Sequence, residues 1–259
     1  MNALHRATAT GTGPAWGTWI KLSTVESTEI LAGAGFDFAV VDLEHTLLDL
    51  GTVLTHLTVG QALGMRMLVR VPDLTPSLIQ RVLDAGADGI VAPHVDDAET
   101  AARFVGSARF PPRGVRGSGG TSRAGGWGRV PRADYLAATG LPVGQIESVA
   151  AVEDVERIAR TEGLGALLLG PADLAIDTAA TPGSPELADQ AARVRRAARE
   201  AGVLVGTAVG ASAVNRAHAQ DYDFVVCGND ATTLATGSAE LIATIRELAR
   251  HPEHEENVT

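Results

Sequence analysis

Three ionisable residues, Asp42, Glu44 and His45, directly follow an apolar run at 36–41 that contains a single Asp. A short apolar run between a Gly-rich turn and a polar segment reads as a buried parallel strand. Folds of the α/β class gather their ligands at the C-terminal ends of such strands. His45 exchanges a proton near neutral pH, which suits it to work as a general base. With acids beside it at a strand end, it is better placed for that work than His56, His94 or His218.

Three further strand ends carry polar groups. Arg70 closes the apolar stretch 67–69, Gln145 and Glu147 end a fifth apolar run, and Asp173 stands in Gly170-Pro171-Ala172-Asp173 after a sixth. A rim Arg offers a planar fork to a substrate carboxylate, or it forms a structural ion pair with Asp42 or Asp84. Glu147 and Asp173 suit a hard divalent cation, which accepts a few carboxylates and keeps positions open for water and substrate oxygens. They serve equally well as helix caps, and spacing alone leaves those two readings even. Gln145 shares a strand face with Glu147 at period two, where it positions a ligand or sits as a satisfied interior polar group.

The elements that must hold these groups alternate regularly. Apolar runs at 16–22, 37–42, 65–71, 89–92, 143–147, 166–169, 203–207 and 224–227 predict eight strands, the number that closes a parallel barrel. Segments 76–85, 97–107, 151–160, 185–201 and 233–250 repeat their apolar residues at helical spacing and predict helices packed on the barrel wall. A doubly wound open sheet is the alternative. It usually places a Gly-rich phosphate turn after its first strand, and Lys21-Leu22-Ser23-Thr24 is not one. In a closed barrel all strand ends open onto one rim, so Asp42, Arg70, Glu147 and Asp173 converge there.

Composition sets the outer bounds. A chain of 259 residues with 45% hydrophobic and 20% charged residues fills one barrel-sized domain, 1–259, with a frayed polar tail from about 251. Net charge −10 argues against nucleic-acid or anionic-membrane partners. No apolar run approaches a membrane span and the start lacks an apolar signal core, so a cytoplasmic location is expected. The single Cys227 lies in an apolar run and reads as a buried strand thiol.

Residues 110–132, rich in Gly and Arg, interrupt the rhythm and are expected to form a loop beside the site. Trp127 is read there as a lid or an anchor, and Arg116, Arg123 and Arg129 as contacts to an anion, a neighbouring subunit or solvent. The Gly spacing at 114–120 does not match a P-loop.

These motifs, in order, make the chain resemble the HpcH/HpaI aldolase family of metal-dependent class II pyruvate aldolases. The resemblance runs from about residue 16 to 248. It rests on Ala34-Gly35-Phe36-Asp37 leading to Asp42-Leu43-Glu44-His45, on Leu68-Val69-Arg70-Val71 and on Leu83-Asp84-Ala85-Gly86-Ala87. It continues through the stretch from Arg109-Phe110-Pro111-Pro112 to Gly117, Gln145-Ile146-Glu147, and Leu169-Gly170-Pro171-Ala172-Asp173-Leu174.

The resemblance implies a (β/α)8 TIM barrel of the phosphoenolpyruvate/pyruvate-binding type, with its last helix exchanged between paired subunits in a homo-oligomer, a hexamer built as a trimer of dimers. It implies a divalent metal ion, Mg²⁺, Mn²⁺ or Co²⁺, held by Glu147 and Asp173 with Gln145 nearby. His45 then acts with a metal-bound water as the base, Arg70 holds the 2-oxo acid and its enolate, and the Ala172 amide receives the carboxylate. Asp42 orients water, and Asp84, from this or an adjacent subunit, supports His45. The implied partners are pyruvate and an aldehyde, joined or released as a 4-hydroxy-2-oxo acid. The only lysine, Lys21, lies outside the strand-end set and is not expected to form a Schiff base. Decarboxylation of oxaloacetate, a specialised biosynthetic use of the same enolate, and a non-catalytic keto-acid or metal-binding role are the rival expectations. After His45, Thr46-Leu47-Leu48 departs from the family pattern, as do Gly165 and 176–179, where loops shape the acceptor pocket.

Overall fold

In the computed structural model, which describes residues 13–210 and 221–250, eight parallel strands close in sequence order into a barrel. They are β1 (Ala15–Ile20), β2 (Phe38–Asp42), β3 (Arg66–Arg70), β4 (Gly89–Ala92), β5 (Leu141–Ile146), β6 (Ala166–Leu169), β7 (Leu204–Val209) and β8 (Phe224–Asn229). Each overlaps an expected run, with ends shifted by a few residues. The barrel is the expected TIM fold.

Alternation along the strands sorts two cores. Phe38, Val40, Leu68, Val143, Leu168 and Phe224 fill the barrel interior, while Ala39, Val41, Met67, Val69, Ile146, Leu167 and Val205 meet the surrounding helices. The rings of Phe38 and Phe224 pack edge to face with centroids 6.0 Å apart. A Cβ at Gly17 would stand 2.3 Å from the Phe38 ring, and one at Gly206 2.2 Å from the Phe224 ring. Only glycine at those positions leaves both rings their place.

The helices are α1 (Val25–Gly33), α2 (Leu50–Ala62), α3 (Pro76–Asp84), α4 (Ala98–Ala108), α5 (Arg132–Ala137), α6 (Val149–Glu153), α7 (Val155–Ala159), α8 (Pro171–Asp177), α9 (Pro185–Ala201) and α10 (Asp230–Arg250). The expected helix at 151–160 is instead two short ones. Asp154, at φ −102° and ψ 8°, ends α6 and begins α7, and its carboxylate is drawn across to the Ala98 amide at 2.9 Å. Helices α1, α2, α5 and α8 were not among the expected helices. Helix α2 reads LGTVLTHLTVGQA, whose β-branched residues and glycines lower helix propensity. It forms because Asp49 caps the Thr52 amide at 2.7 Å and Val53 and Leu57 are buried.

Residues 110–132 lie elsewhere than expected. They follow α4 and precede β5, so they belong to the N-terminal mouth of the barrel, opposite the rim where the strands end. Arg116 pairs there with Asp84 at 2.6 Å and stacks over Phe110 at 4.5 Å. Arg123 donates to Gln61 Oε1 at 2.9 Å and to the Ala85 carbonyl at 3.0 Å. Two of the three loop arginines therefore tie the loop to its own barrel, and Trp127, exposed with φ 59°, is no lid over this chain's rim.

Helix α10 stands apart. After buried Asp230 it exposes Leu234, Leu241, Ile242, Ile245 and Leu248. Among the described residues, no helix is long and apolar enough to cross a membrane.

Candidate active site

The in-register pairing of β2 with β3 sets Asp42 beside Arg70 at the rim. Arg70 Nε donates to Asp42 Oδ1 at 2.9 Å and Nη2 to Oδ2 at 2.7 Å, a bidentate fork on a fully buried carboxylate. The guanidinium also lies 4.2 Å from the ring centroid of Trp19. Oδ1 further accepts the amides of Glu44 at 3.1 Å and His45 at 3.3 Å, which shapes the turn that carries both side chains. Burial alone would raise the Asp42 pKa. Hydrogen bonds and charge from Arg70, then from Lys21, outweigh it and hold the carboxyl at about 2.

That second cation corrects the sequence expectation. Lys21, the first residue past β1, places Nζ 2.5 Å from Asp42 Oδ2, inside the strand-end set rather than outside it. No spacing signal marked it, because β1 was expected to run on to residue 22.

Glu44 lies near Arg70 Nη1 at 3.0 Å, an ion-pair distance without hydrogen-bond alignment, since its Oε2 has no hydrogen-bond partner. Its pKa is raised, first by burial and in lesser part by Glu147, against the pull of Arg70. The His45 imidazole is exposed, 3.8 Å from Glu44.

On the far side of the rim, Glu147 is 5% exposed. Its Oε2 accepts from Gln145 Nε2 and its Oε1 from the His94 amide at 2.8 Å. His94 Nδ1 lies 3.2 Å from the same oxygen, and Nε2 3.7 Å from Glu44. His94 thus bridges two of the site's carboxylates and was missed. Its position after Ala92-Pro93 at the end of β4 satisfies the same strand-end rule that selected the others. It also sits at φ 52°, an uncommon conformation for a side chain other than glycine.

Asp173 is exposed in the first turn of α8. The amides of Ala172 and Asp173 precede the first intrahelical bond, from Leu174 to Gly170 at 3.1 Å. Gly170 allows this turn to come close: a Cβ there would stand 3.1 Å from Glu147 Cβ and 3.2 Å from Gln145 Nε2. Glu44, His45, His94, Glu147 and Asp173 line one cleft of about 290 Å³. A larger cavity of about 610 Å³ lies between α8, α9 and β7, but it is lined mostly by apolar side chains and Tyr222 is its one ionisable group. The ionisable side chains gather in the smaller cleft.

Asp84 does not join it. At the end of α3 it lies at the opposite mouth, paired with Arg116, so within one chain it is not beside His45.

Among the described residues, no three His, Cys, Asp or Glu side chains stand in ready metal-binding geometry. Glu147 and Asp173, two of the carboxylates in this cleft, with Gln145 Oε1 buried and unpartnered next to Glu147, nevertheless fit a hard cation that keeps water and substrate oxygens as its remaining ligands. Cys227 is half-buried and its thiol pKa is raised by that burial.

The chain is similar to a 4-hydroxy-2-oxovalerate aldolase of Rhodococcus jostii, 35% identical and covering 96% of this chain and 98% of that protein. It is also similar to a hydroxypyruvate/pyruvate aldolase of Chromohalobacter salexigens, 35% identical over 88% and 92% of the two chains. A solved HpcH/HpaI aldolase/citrate lyase family protein of Burkholderia cenocepacia superposes with a TM-score of 0.86 at 34% identity, covering 95% of this chain and all of that one. The family model for HpcH/HpaI aldolase/citrate lyase matches residues 16–237, and the protein belongs to that family.

Proposed function

We propose that this protein is a divalent-metal-dependent carbon–carbon lyase that makes or cleaves 4-hydroxy-2-oxo acids through the enolate of pyruvate. The observation that carries this reading is one cleft lined by Glu44, Glu147 and Asp173, with the buried, unpartnered Gln145 Oε1 next to Glu147 and Arg70 paired to Glu44. The family and the names of its members support the lyase chemistry.

Glu147 and Asp173 would hold Mg²⁺, Mn²⁺ or Co²⁺, with Gln145 alongside. When bound, the ion supplies Lewis-acid polarisation of the keto oxygen. The first-turn amides of Ala172 and Asp173 meet the pyruvate carboxylate. His45, exposed at the mouth, takes up the methyl proton. Arg70, held rigidly by Asp42 and Trp19, offsets the negative charge that develops as the enolate forms and needs no reorganisation to do so. In the condensing direction the enolate carbon attacks the aldehyde carbonyl carbon, and the new alkoxide takes the proton that His45 carries, which returns His45 to its starting state.

The exposed apolar stripe of α10 supports a homo-oligomer in which this helix packs on a second copy of the chain. In such an assembly Asp84 and residues 110–132, at the mouth opposite the site, would act toward a neighbouring subunit.

The deciding experiment is proton NMR of pyruvate in D₂O with metal-stripped protein, before and after adding Mg²⁺, Mn²⁺ or Co²⁺, with His45→Ala as control. Metal-dependent methyl deuteration that the variant loses supports the reading. An absence of exchange with every metal overturns it.

A further inference from the structure

We propose that Lys21 determines acceptor specificity: its ammonium receives a carboxylate carried by the aldehyde, so the site favours acid aldehydes over neutral ones. This rests on the aldolase reading above and adds to it the class of the second substrate.

The first argument is access. Arg70 donates two of its five N–H groups to Asp42 and directs Nη1 at Glu44, and its side chain is only 7% exposed. Lys21 spends one of its three N–H groups on Asp42, its acceptor among the described residues, and its side chain is 25% exposed. Of the two cations on Asp42, Lys21 is therefore the more open to a second anion.

The second is preorganisation. Asp230, 6% exposed, accepts the Lys21 amide at 2.8 Å and the Leu22 amide at 3.1 Å. The backbone below the ammonium is pinned by one buried carboxylate and its tip by another. Asp42 shares its single charge between Lys21 and Arg70, so Lys21 has no carboxylate to itself. A strongly hydrated ammonium recovers its lost hydration best from an opposing charge.

The third is position. In the closed order of strands, β1 lies across the mouth from β5, and Glu147 and Asp173 follow β5 and β6. A linear 2-oxo acid with its keto-acid end at those carboxylates and its chain laid across the mouth ends on the β1 side, where Lys21 stands just past Ile20.

The chain has one lysine, so amine-directed acetylation read by peptide mass spectrometry reports on this side chain alone apart from the N-terminus. Wild-type protein with added Mg²⁺ is labelled in the presence of 2-oxoglutarate or of 2-oxohexanoate, which has no distal carboxylate. Protection of Lys21 by the first, at least fivefold greater than by the second, is expected. In parallel, kcat/KM is measured for pyruvate with succinic semialdehyde and with pentanal, for wild type, Lys21→Met and Lys21→Arg. Lys21→Met is expected to lower the ratio of acid to neutral aldehyde about 10- to 100-fold, the scale of one charge-assisted hydrogen bond, with Lys21→Arg restoring much of it.

Equal protection by the two keto acids, or a ratio unmoved by Lys21→Met, overturns the proposal and leaves Lys21 as a partner of Asp42 only. If wild type fails to deuterate pyruvate, the aldolase reading falls instead, and differential protection still decides whether Lys21 receives a carboxylate. Should Lys21→Met not fold, the labelling arm and Lys21→Arg remain decisive.

Discussion

Asp42 and Arg70 end neighbouring parallel strands in register and meet as a two-point fork, at 2.9 and 2.7 Å. Each is nearly or wholly buried. Removing one member strands the other, which typically costs about 3–5 kcal/mol. Asp42→Asn is therefore expected to lower unfolding free energy by about 3 kcal/mol in denaturant titration. Arg70→Lys, which keeps the charge and loses the fork, should cost less stability while still lowering kcat/KM at least tenfold.

Acid should reveal the same pair. The folded Asp42 carboxyl, depressed from 3.8 to about 2, contributes stability that is fully present above its unfolded value and lost as pH falls from about 4 to about 2. One such shift corresponds to roughly 2 kcal/mol. Glu44 has the opposite sign: its raised pKa favours folding while it is protonated, and that gain is lost as pH rises above its unfolded value. Thermal melts between pH 2 and 5 should show a shallower acid slope in Asp42→Asn than in wild type.

Metal affinity tests the far side of the cleft. Glu147→Gln and Asp173→Asn are each expected to weaken Mn²⁺ binding at least tenfold by calorimetry. Gly170→Ala should weaken it too, because its Cβ would press on Glu147 and Gln145. Unaltered binding in both carboxylate variants would remove them from the site.

His94 offers a backbone test. At φ 52°, glycine relieves strain and keeps the amide bonded to Glu147, whereas a β-branched residue is penalised there. His94→Gly should equal or exceed wild type in unfolding free energy, and His94→Val should fall about 1–3 kcal/mol below it in denaturant titration.

The stripe on α10 predicts an assembly. Leu241→Asp with Ile245→Asp should shift the protein toward monomer in light-scattering chromatography, and an unchanged mass would dismiss the stripe as an interface.

The barrel and half of the candidate site's geometry were legible in the sequence because they depend on local order. Runs such as 89–92 and 166–169 are apolar and short, and a polar residue after each apolar run lands on one rim whatever the loops do. Asp42, Arg70, Glu147 and Asp173 follow that rule. Other features rest on contacts between residues far apart in the chain, which periodicity does not encode. Lys21 meets Asp42 only because β1 and β2 are adjacent and β1 ends at Ile20. His94 joins the site through a turn at positive φ. Asp84 and residues 110–132 go to the other mouth because they follow helices rather than strands. Helix α2, poor in intrinsic propensity, forms because Val53 and Leu57 are buried. The sequence by itself determined the alternation of elements and the residues at the strand ends; barrel closure decided which charges share a carboxylate, since that depends on distances across the rim.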